Sequence, residues 1–429
     1  MRSLIRLTAL VLLGSAATDA RAQFTQYSRP GGGDFAVAGT STSDKVAQAL
    51  EEARWHWGKL AVEPWAGIRE VTYNDNVGRV PEGAGEQVSD VNATIGAGLR
   101  AYLPGGRGLV WAAHALPQYI WWQDLENRRH FGGQYGLGLF GTSGRTALEM
   151  FVSYDDSTRF FSREFEDQVE TETLLTRADI DFAVGGGVSI YGSGRYRQLR
   201  YGDQEGEIQP LKTVDRDETV GRSMIRYRPR EGFVLGLGAE YSQAEFDEIG
   251  NVRDNDGTGP AFEMRYLGGR VTILADAVGR SLTFENGGEN LDYDDVTGHA
   301  ALRLVASERL QPRVYWQRNL VYSFSEDWPY YVDESFGVGL DINFSTYVIL
   351  RLWGEEGDND YQPLEVDGPA RVDDLAVIGG ELEFRLGPGQ LILGGYRTDY
   401  DSTLPDFDRE VTVYRFGFVI GERTISPWG

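Results

Sequence analysis

The sequence predicts an all-β protein, a closed antiparallel transmembrane β-barrel of about 18 strands, with 16 strands as the alternative. Residues 92–100 alternate strictly, with Ala93, Ile95, Ala97 and Leu99 on one face and polar residues, glycine or Arg100 on the other. Strands of roughly ten residues with this pattern recur along 60–420, and tight glycine turns alternate with long acidic segments. Apolar-out, polar-in strands with this asymmetry of turns and loops are typical of outer-membrane barrels.

The N-terminal region predicts export. Arg2 and Arg6 precede an apolar core, and Ala20-Arg21-Ala22 forms a small-residue cleavage site, which together predict a signal peptide over 1–22. Because the apolar core is shorter than a bilayer-spanning helix and no later run reaches about 18 apolar residues, the chain can cross a membrane only as a closed barrel. We therefore divide it into a signal peptide (1–22), a periplasmic leader with a short helix (23–57) and the barrel (58–429).

Within the leader, Ser43 can cap a short helix over 44–55 with Val46, Leu50 and Ala53 along one side. One interpretation is that this helix merely leads the chain to the first strand. The alternative is a small plug or a docking site.

The barrel itself begins with a strand over 60–73 and ends with one over 410–420, with eight hairpins between them. The longest polar segments are 155–173, 201–218, 243–259 and 355–373. Long extracellular loops, short periplasmic turns and an even strand number place both termini on the periplasmic side. The eight tight turns are expected near 104–106, 141–144, 185–187, 228–232, 268–269, 307–308, 343–345 and 387–389.

Two faces follow from the alternation. The predicted lipid face contains no charge on two representative strands, where it consists of Phe233, Leu235, Leu237, Ala239 and Tyr241, and of Phe336, Val338, Leu340, Ile342 and Phe344. Aromatic residues near strand ends are expected to form interfacial girdles. The candidates are Trp121, Trp122, Trp328, Tyr330, Tyr331 and Tyr400.

The opposite face is rich in charge, and arginine accounts for most of the basic residues because the chain contains only three lysines. Paired interior charges would act as struts, whereas a charged passage would suit carboxylate- or phosphate-bearing solutes. In the second interpretation Glu381 and Glu383 lie across the lumen from the arginines of 195–228. The predicted lumen-lining residues are Arg100, Arg177, Arg195, Arg197, Arg222, Arg226, Arg228, Arg265, Arg303, Arg351, Arg385, Arg397, Arg415, Glu240, Asp341, Glu381 and Glu383.

Composition argues against several other classes of function. The absence of cysteine excludes disulfides and thiolate sites, and a net charge of -24 argues against nucleic acid as a partner. The four histidines show no hydrolase or zinc-protease spacing, and the acidic segment 252–263 lacks the first ligand of a calcium loop at Val252. We expect no enzyme activity, no cofactor and no metal.

The segment 44–77 carries a family resemblance. A short helix is followed by Leu60-Ala61-Val62-Glu63-Pro64 and then by the turn Tyr73-Asn74-Asp75-Asn76-Val77. This order resembles the opening of the outer-membrane β-barrel porins linked to exopolysaccharide export. Such barrels commonly end on an aromatic residue, whereas this chain ends in Trp428-Gly429 and has Phe416 and Phe418 on its last predicted strand.

The resemblance implies a channel that exports a polysaccharide received from periplasmic export proteins. One alternative is a diffusion porin for small anionic or sugar solutes, and another is a non-conducting structural or surface-binding barrel. In every case the surrounding partners are outer-membrane lipid and lipopolysaccharide.

Overall fold

The computed structural model describes residues 46, 49–51, 53, 55–77, 87–106, 108–160, 163–164, 168–202, 211–387 and 389–421. The predicted signal peptide and the leader up to residue 45 lie outside the described residues. Within the described part, no helix is long and apolar enough to cross a membrane.

Nineteen β-strands make up almost all of the regular structure in the described residues. Short 3-10 turns cover Glu126–Arg128, Leu211–Val214, Glu289–Leu291 and Pro405–Phe407. The strands are β1 (Trp55–Trp57), β2 (Leu60–Asn74), β3 (Asp90–Gly106), β4 (Leu109–Trp122), β5 (His130–Ser143), β6 (Thr146–Phe160), β7 (Gln168–Gly185), β8 (Val188–Tyr201), β9 (Arg216–Tyr227), β10 (Phe233–Phe246), β11 (Asn255–Leu267), β12 (Val271–Phe284), β13 (Tyr293–Leu304), β14 (Leu310–Tyr322), β15 (Tyr330–Ser345), β16 (Val348–Gln362), β17 (Arg371–Leu386), β18 (Gly389–Ser402) and β19 (Arg409–Ile420).

The strands β2 to β19 form a closed ring of eighteen. Each pairs antiparallel with its neighbour in sequence, and β19 closes the ring by pairing with β2 from Ile420↔Ala66 to Val413↔Asn74. The three-residue β1 pairs with the start of β2, at Trp55↔Val62. Every strand of the ring therefore has a partner on both sides, and the predicted 18-strand antiparallel barrel is confirmed.

The connections alternate between short and long, as the sequence indicates. Turns such as 144–145, 186–187 and 346–347 join the strands at one rim, and connections such as 285–292 and 363–370 join them at the other. We call these the short-turn rim and the long-loop rim. Both the start of β2 and the end of β19 lie at the short-turn rim. The strands of the ring contain 12 to 18 residues rather than about ten, because they continue into the predicted polar segments.

The outward and inward faces follow the predicted alternation on β10 and β15. Leu237 is 61% exposed on the outer face, whereas Glu240 on the inner face is buried. The inner face can be followed from strand to strand through directly paired residues. Glu240 on β10 pairs with Arg222 on β9, and successive pairs across β8, β7 and β6 lead to Phe140 on β5. Directly paired residues point to the same side of a sheet, so one alternation defines the lumen surface across many strands.

Most of the aromatic residues predicted for an interfacial girdle lie elsewhere. Trp122, Trp328, Tyr330, Tyr331 and Tyr400 are buried in side-chain clusters at the long-loop end of the barrel, so this prediction is wrong for them. The outer face instead exposes a different set of aromatic residues near the two rims, which are Tyr73, Tyr154, Tyr196, Tyr241 and Tyr414 towards the long-loop rim and Trp111, Phe182, Tyr227 and Phe344 towards the short-turn rim.

Buried residues before β1, in the short helix and just after it, lie inside the barrel. Val46, Ala49 and Ala53 are buried in one cluster with residues of β2 to β5, among them Tyr102 and Phe140. Phe140 belongs to the inner face defined above, so the apolar stripe of the helix packs on the inner wall near the short-turn rim. This placement agrees with the plug interpretation of the helix more closely than with a simple lead into the first strand.

Candidate functional site: a constriction of the barrel lumen

The structure places all but one of the predicted lumen-lining residues on the inner face. Their side chains alternate with exposed apolar residues, as on β7, β9 and β17. Arg397 is the exception, because it pairs with the outward-facing Ile378 and forms exposed ion pairs with Asp399 and Glu410. The expectation that Arg397 lines the lumen is therefore wrong. Near the end of β18 both faces carry polar side chains, so alternation alone cannot distinguish them.

The arginines of β7 to β9 are held by nearby carboxylates. Arg222 forms 2.6 Å ion pairs with Glu240 on β10 and with Asp276 on β12. Arg226 lies 2.6 Å from Glu263 and stacks over Tyr191. Three further pairs complete this network and are Arg177 with Asp179, Arg197 with Glu218, and Arg228 with Asp181.

A second network lies on β16 to β19. Arg351 pairs with Glu381 at 2.7 Å and also with Glu383, while Arg385 and Arg415 each bind one of these two carboxylates. Because Glu381 and Glu383 are neutralised by local arginines, they do not form the isolated acidic wall required by the expected transverse field. In both networks many charges act as paired struts.

Arg195 differs from its neighbours. Its Nη2 is buried and has no hydrogen-bond partner among the described residues. The side chain lines a small cavity in the inner wall together with Arg177, Ser193, Arg222 and Glu240. Arg177 and Arg222 each form ion pairs with carboxylates, so Arg195 is the lining arginine whose Nη2 lacks a hydrogen-bond partner among the described residues.

Of the connection between β6 and β7, the structure describes Arg163 and Glu164, and both contact the opposite wall of the barrel. Arg163 pairs with Asp333 on β15 at 3.4 Å and with Glu355 on β16. The hairpin of β6 and β7, from which this connection extends, stands half-way round the eighteen-strand ring from β15 and β16. Both carboxylates belong to the inner face, and their side chains are almost completely buried. Arg163 thus lies across the lumen from its own hairpin.

Glu164 extends this contact to three more strands. Its carboxylate accepts a 2.7 Å hydrogen bond from Ser323 after β14, and it lies 3.7 Å from Arg371 on β17. Arg409 on β19 donates to the backbone carbonyls of Arg163 and Glu164, each at 3.0 Å. Side chains and backbone of this dipeptide are therefore both fixed to the far wall, in what we call the docked connection.

Burial raises the pKa of the Glu164 carboxyl to about 7, although Arg371 and the Ser323 hydrogen bond oppose the change. Desolvation penalises the charged form of a carboxylate, so burial favours its protonation. The docked connection accordingly contains a group that changes its charge near neutral pH.

The sequence does not single out Arg163 or Glu164, because both lie within the segment 155–173, whose composition predicts only a long polar loop. Their partners are up to 246 residues away, and no local pattern marks such a contact. His299 lies on the inner face, because it pairs in register with the inner-face residue Asp276.

Comparisons with known proteins support the fold. No protein-family model matches the sequence, and no curated protein sequence matches it. The structure is similar to a BenF-like porin from Pseudomonas fluorescens Pf-5, at 12% identity and a TM-score of 0.50, covering 84% of this chain and 98% of that one.

Two other solved structures are also similar. OccK2 (OpdF) of Pseudomonas aeruginosa is 11% identical with a TM-score of 0.49, over 83% of this chain and 96% of that one. OccAB3 of Acinetobacter baumannii is 10% identical with a TM-score of 0.48, over 84% and 99%. At these identities the likeness concerns the fold, and this chain has the barrel architecture found in outer-membrane porins.

Proposed function

We propose that this chain is an outer-membrane diffusion channel for small anionic solutes, with sugars as the other solute class. The observation that carries this proposal is the docked connection, since Arg163 and Glu164 reach from one side of the lumen to the other. A lumen crossed by a connection admits solutes that fit beside it. We therefore favour a small-solute porin over polysaccharide export, because a linear polymer would require the connection to leave the lumen.

The outer surface supports placement in the outer membrane. Apolar side chains such as Leu237 and Ile225 face outwards, and aromatic residues lie towards both rims. In this orientation the short-turn rim and both termini face the periplasm, and the long loops face the outside. This function involves no enzymatic step, so we propose that the chain is not an enzyme.

The preference for anions rests on the wall around Arg195. Guanidinium groups bind carboxylate and phosphate oxygens through parallel N–H donors. Arg195 Nη2 has no such partner among the described side chains, whereas the other two arginines of this cavity hold carboxylates.

The test is single-channel recording in planar lipid bilayers under a salt gradient. We expect wild-type protein to give open steps with an anion preference, and Arg195→Gln to reduce that preference. Arg397→Gln is the matched control, because it removes the same charge from the outer face. If folded wild-type protein gives no channel current, the non-conducting scaffold is favoured. If Arg195→Gln keeps the wild-type anion preference, Arg195 does not contribute to the passage of anions.

A further inference from the structure

We propose that His130, Asp156 and Glu170 form a binding site for a divalent transition-metal ion such as Zn²⁺ at the long-loop rim. One nitrogen or oxygen ligand atom from each of the three residues lies within 4.8 Å of the others. The site would join β5 to the hairpin of β6 and β7, which carries the docked connection. This inference is independent of the proposed channel function.

The register of the strands explains how the two carboxylates meet. Asp156 on β6 pairs with Glu172 on β7, and Thr158 pairs with Glu170. Asp156 and Glu170 are therefore diagonal neighbours on one face of the sheet, close enough for their side chains to meet. His130 begins β5, which pairs with β6 on its other edge. Because 40 residues separate His130 from Glu170 in the sequence, the cluster does not form a local sequence motif.

Two of the ligand atoms are buried and lack hydrogen bonds. His130 Nε2 and Asp156 Oδ1 have no hydrogen-bond partner among the described residues, and they face each other at 3.8 Å. This distance is too long for a hydrogen bond. Two ligand atoms bound to one tetrahedral Zn²⁺ lie about 3.4 Å apart, so a small side-chain movement would bring this pair to coordination distance. Buried polar atoms without a hydrogen bond are uncommon in folded proteins, and a metal ion shared by His130 and Asp156 would satisfy both atoms.

The other nitrogen of the histidine is already engaged. His130 Nδ1 lies 3.2 Å from the backbone carbonyl oxygen of Arg128, to which it can donate. This hydrogen bond selects the tautomer whose Nε2 lone pair is available to a metal, and the same arrangement orients histidine ligands in known metal sites.

The donor set selects the class of ion. One imidazole and two carboxylates suit Zn²⁺ and its neighbours in the transition series, whereas Ca²⁺ and Mg²⁺ prefer oxygen ligands throughout. Glu172 lies beside the cluster but accepts a hydrogen bond from Tyr154 at 3.0 Å. Glu172 therefore adds negative potential without being a ligand, which makes it a suitable control position.

The experiment is a calorimetric titration of purified, chelator-treated full-length protein in detergent with Zn²⁺, and in parallel with Ca²⁺. We expect one Zn²⁺ per chain, at least tenfold tighter than Ca²⁺, and at least tenfold weaker Zn²⁺ binding in each of His130→Ala, Asp156→Asn and Glu170→Gln. The controls are Glu172→Gln, which removes a neighbouring charge, and His56→Ala, which removes an exposed imidazole. Both should bind Zn²⁺ like the wild type.

Each variant is titrated only if it is folded, which is checked by a change in its electrophoretic migration when the sample is heated. X-ray absorption at the zinc edge of the wild type requires no variant and should show one nitrogen ligand. The inference is overturned if the folded wild type does not bind Zn²⁺, if the bound Zn²⁺ has only oxygen ligands, or if the three ligand variants bind no more weakly than the controls.

Discussion

Replacing Arg163 by alanine should release the docked connection and widen the lumen. The Arg163 side chain is 4% exposed, and its partners Asp333 and Glu355 are 7% and 1% exposed. Without the guanidinium group, docking would bury two carboxylates that have lost their counter-charge. Removing one partner of a buried ion pair costs about 3–5 kcal/mol, so the ratio of docked to released connection should fall by roughly a hundredfold to a few thousandfold.

Single-channel recording in planar bilayers measures this change directly. Arg163→Ala should open to a larger conductance than the wild type, with more frequent fluctuations between levels. Arg397→Gln should leave both quantities unchanged, because that arginine lies on the outer face. If a correctly folded Arg163→Ala protein gives the same conductance distribution as the wild type, the connection does not limit the passage and the reasoning fails.

Three further predictions follow from the inner wall. Burial raises the pKa of Glu164 to about 7, against 4.5 for an exposed carboxyl, so protonation stabilises docking as the pH falls from 8 towards 5. Wild-type conductance should decrease over this range, and Glu164→Gln should abolish the dependence. Arg222→Ala should destabilise the barrel by about 3–5 kcal/mol in a denaturant titration, whereas Arg385→Gln, with a 41% exposed arginine, should cost less than about 1 kcal/mol. Val46→Asp should detach the N-terminal helix from the inner wall, with increased proteolysis before Trp55 as the measurement.

The architecture could be predicted because its signals are local. Side chains on a strand alternate with a period of two, so the face occupied by Leu237 and the face occupied by Glu240 can be distinguished within one strand. Turn composition likewise indicates where hairpins close, and both signals repeat around the ring. The same logic failed at Arg397, where both faces are polar, and at Trp328 and Tyr331, whose burial depends on connections folding over them.

By itself, then, the sequence determined the barrel, the alternation of its rims and most of the charged inner face, whereas the choice of 18 strands over 16 came from the structure. Only the tertiary structure decided which carboxylate each arginine binds, that Arg163 and Glu164 cross the lumen, and that His130 meets Asp156. The physical reason is the difference in sequence separation between local patterns and tertiary contacts. Periodicity and turn chemistry act over a few residues, whereas these contacts depend on strand register, ring closure and the path of a connection, which bring together residues far apart in the chain.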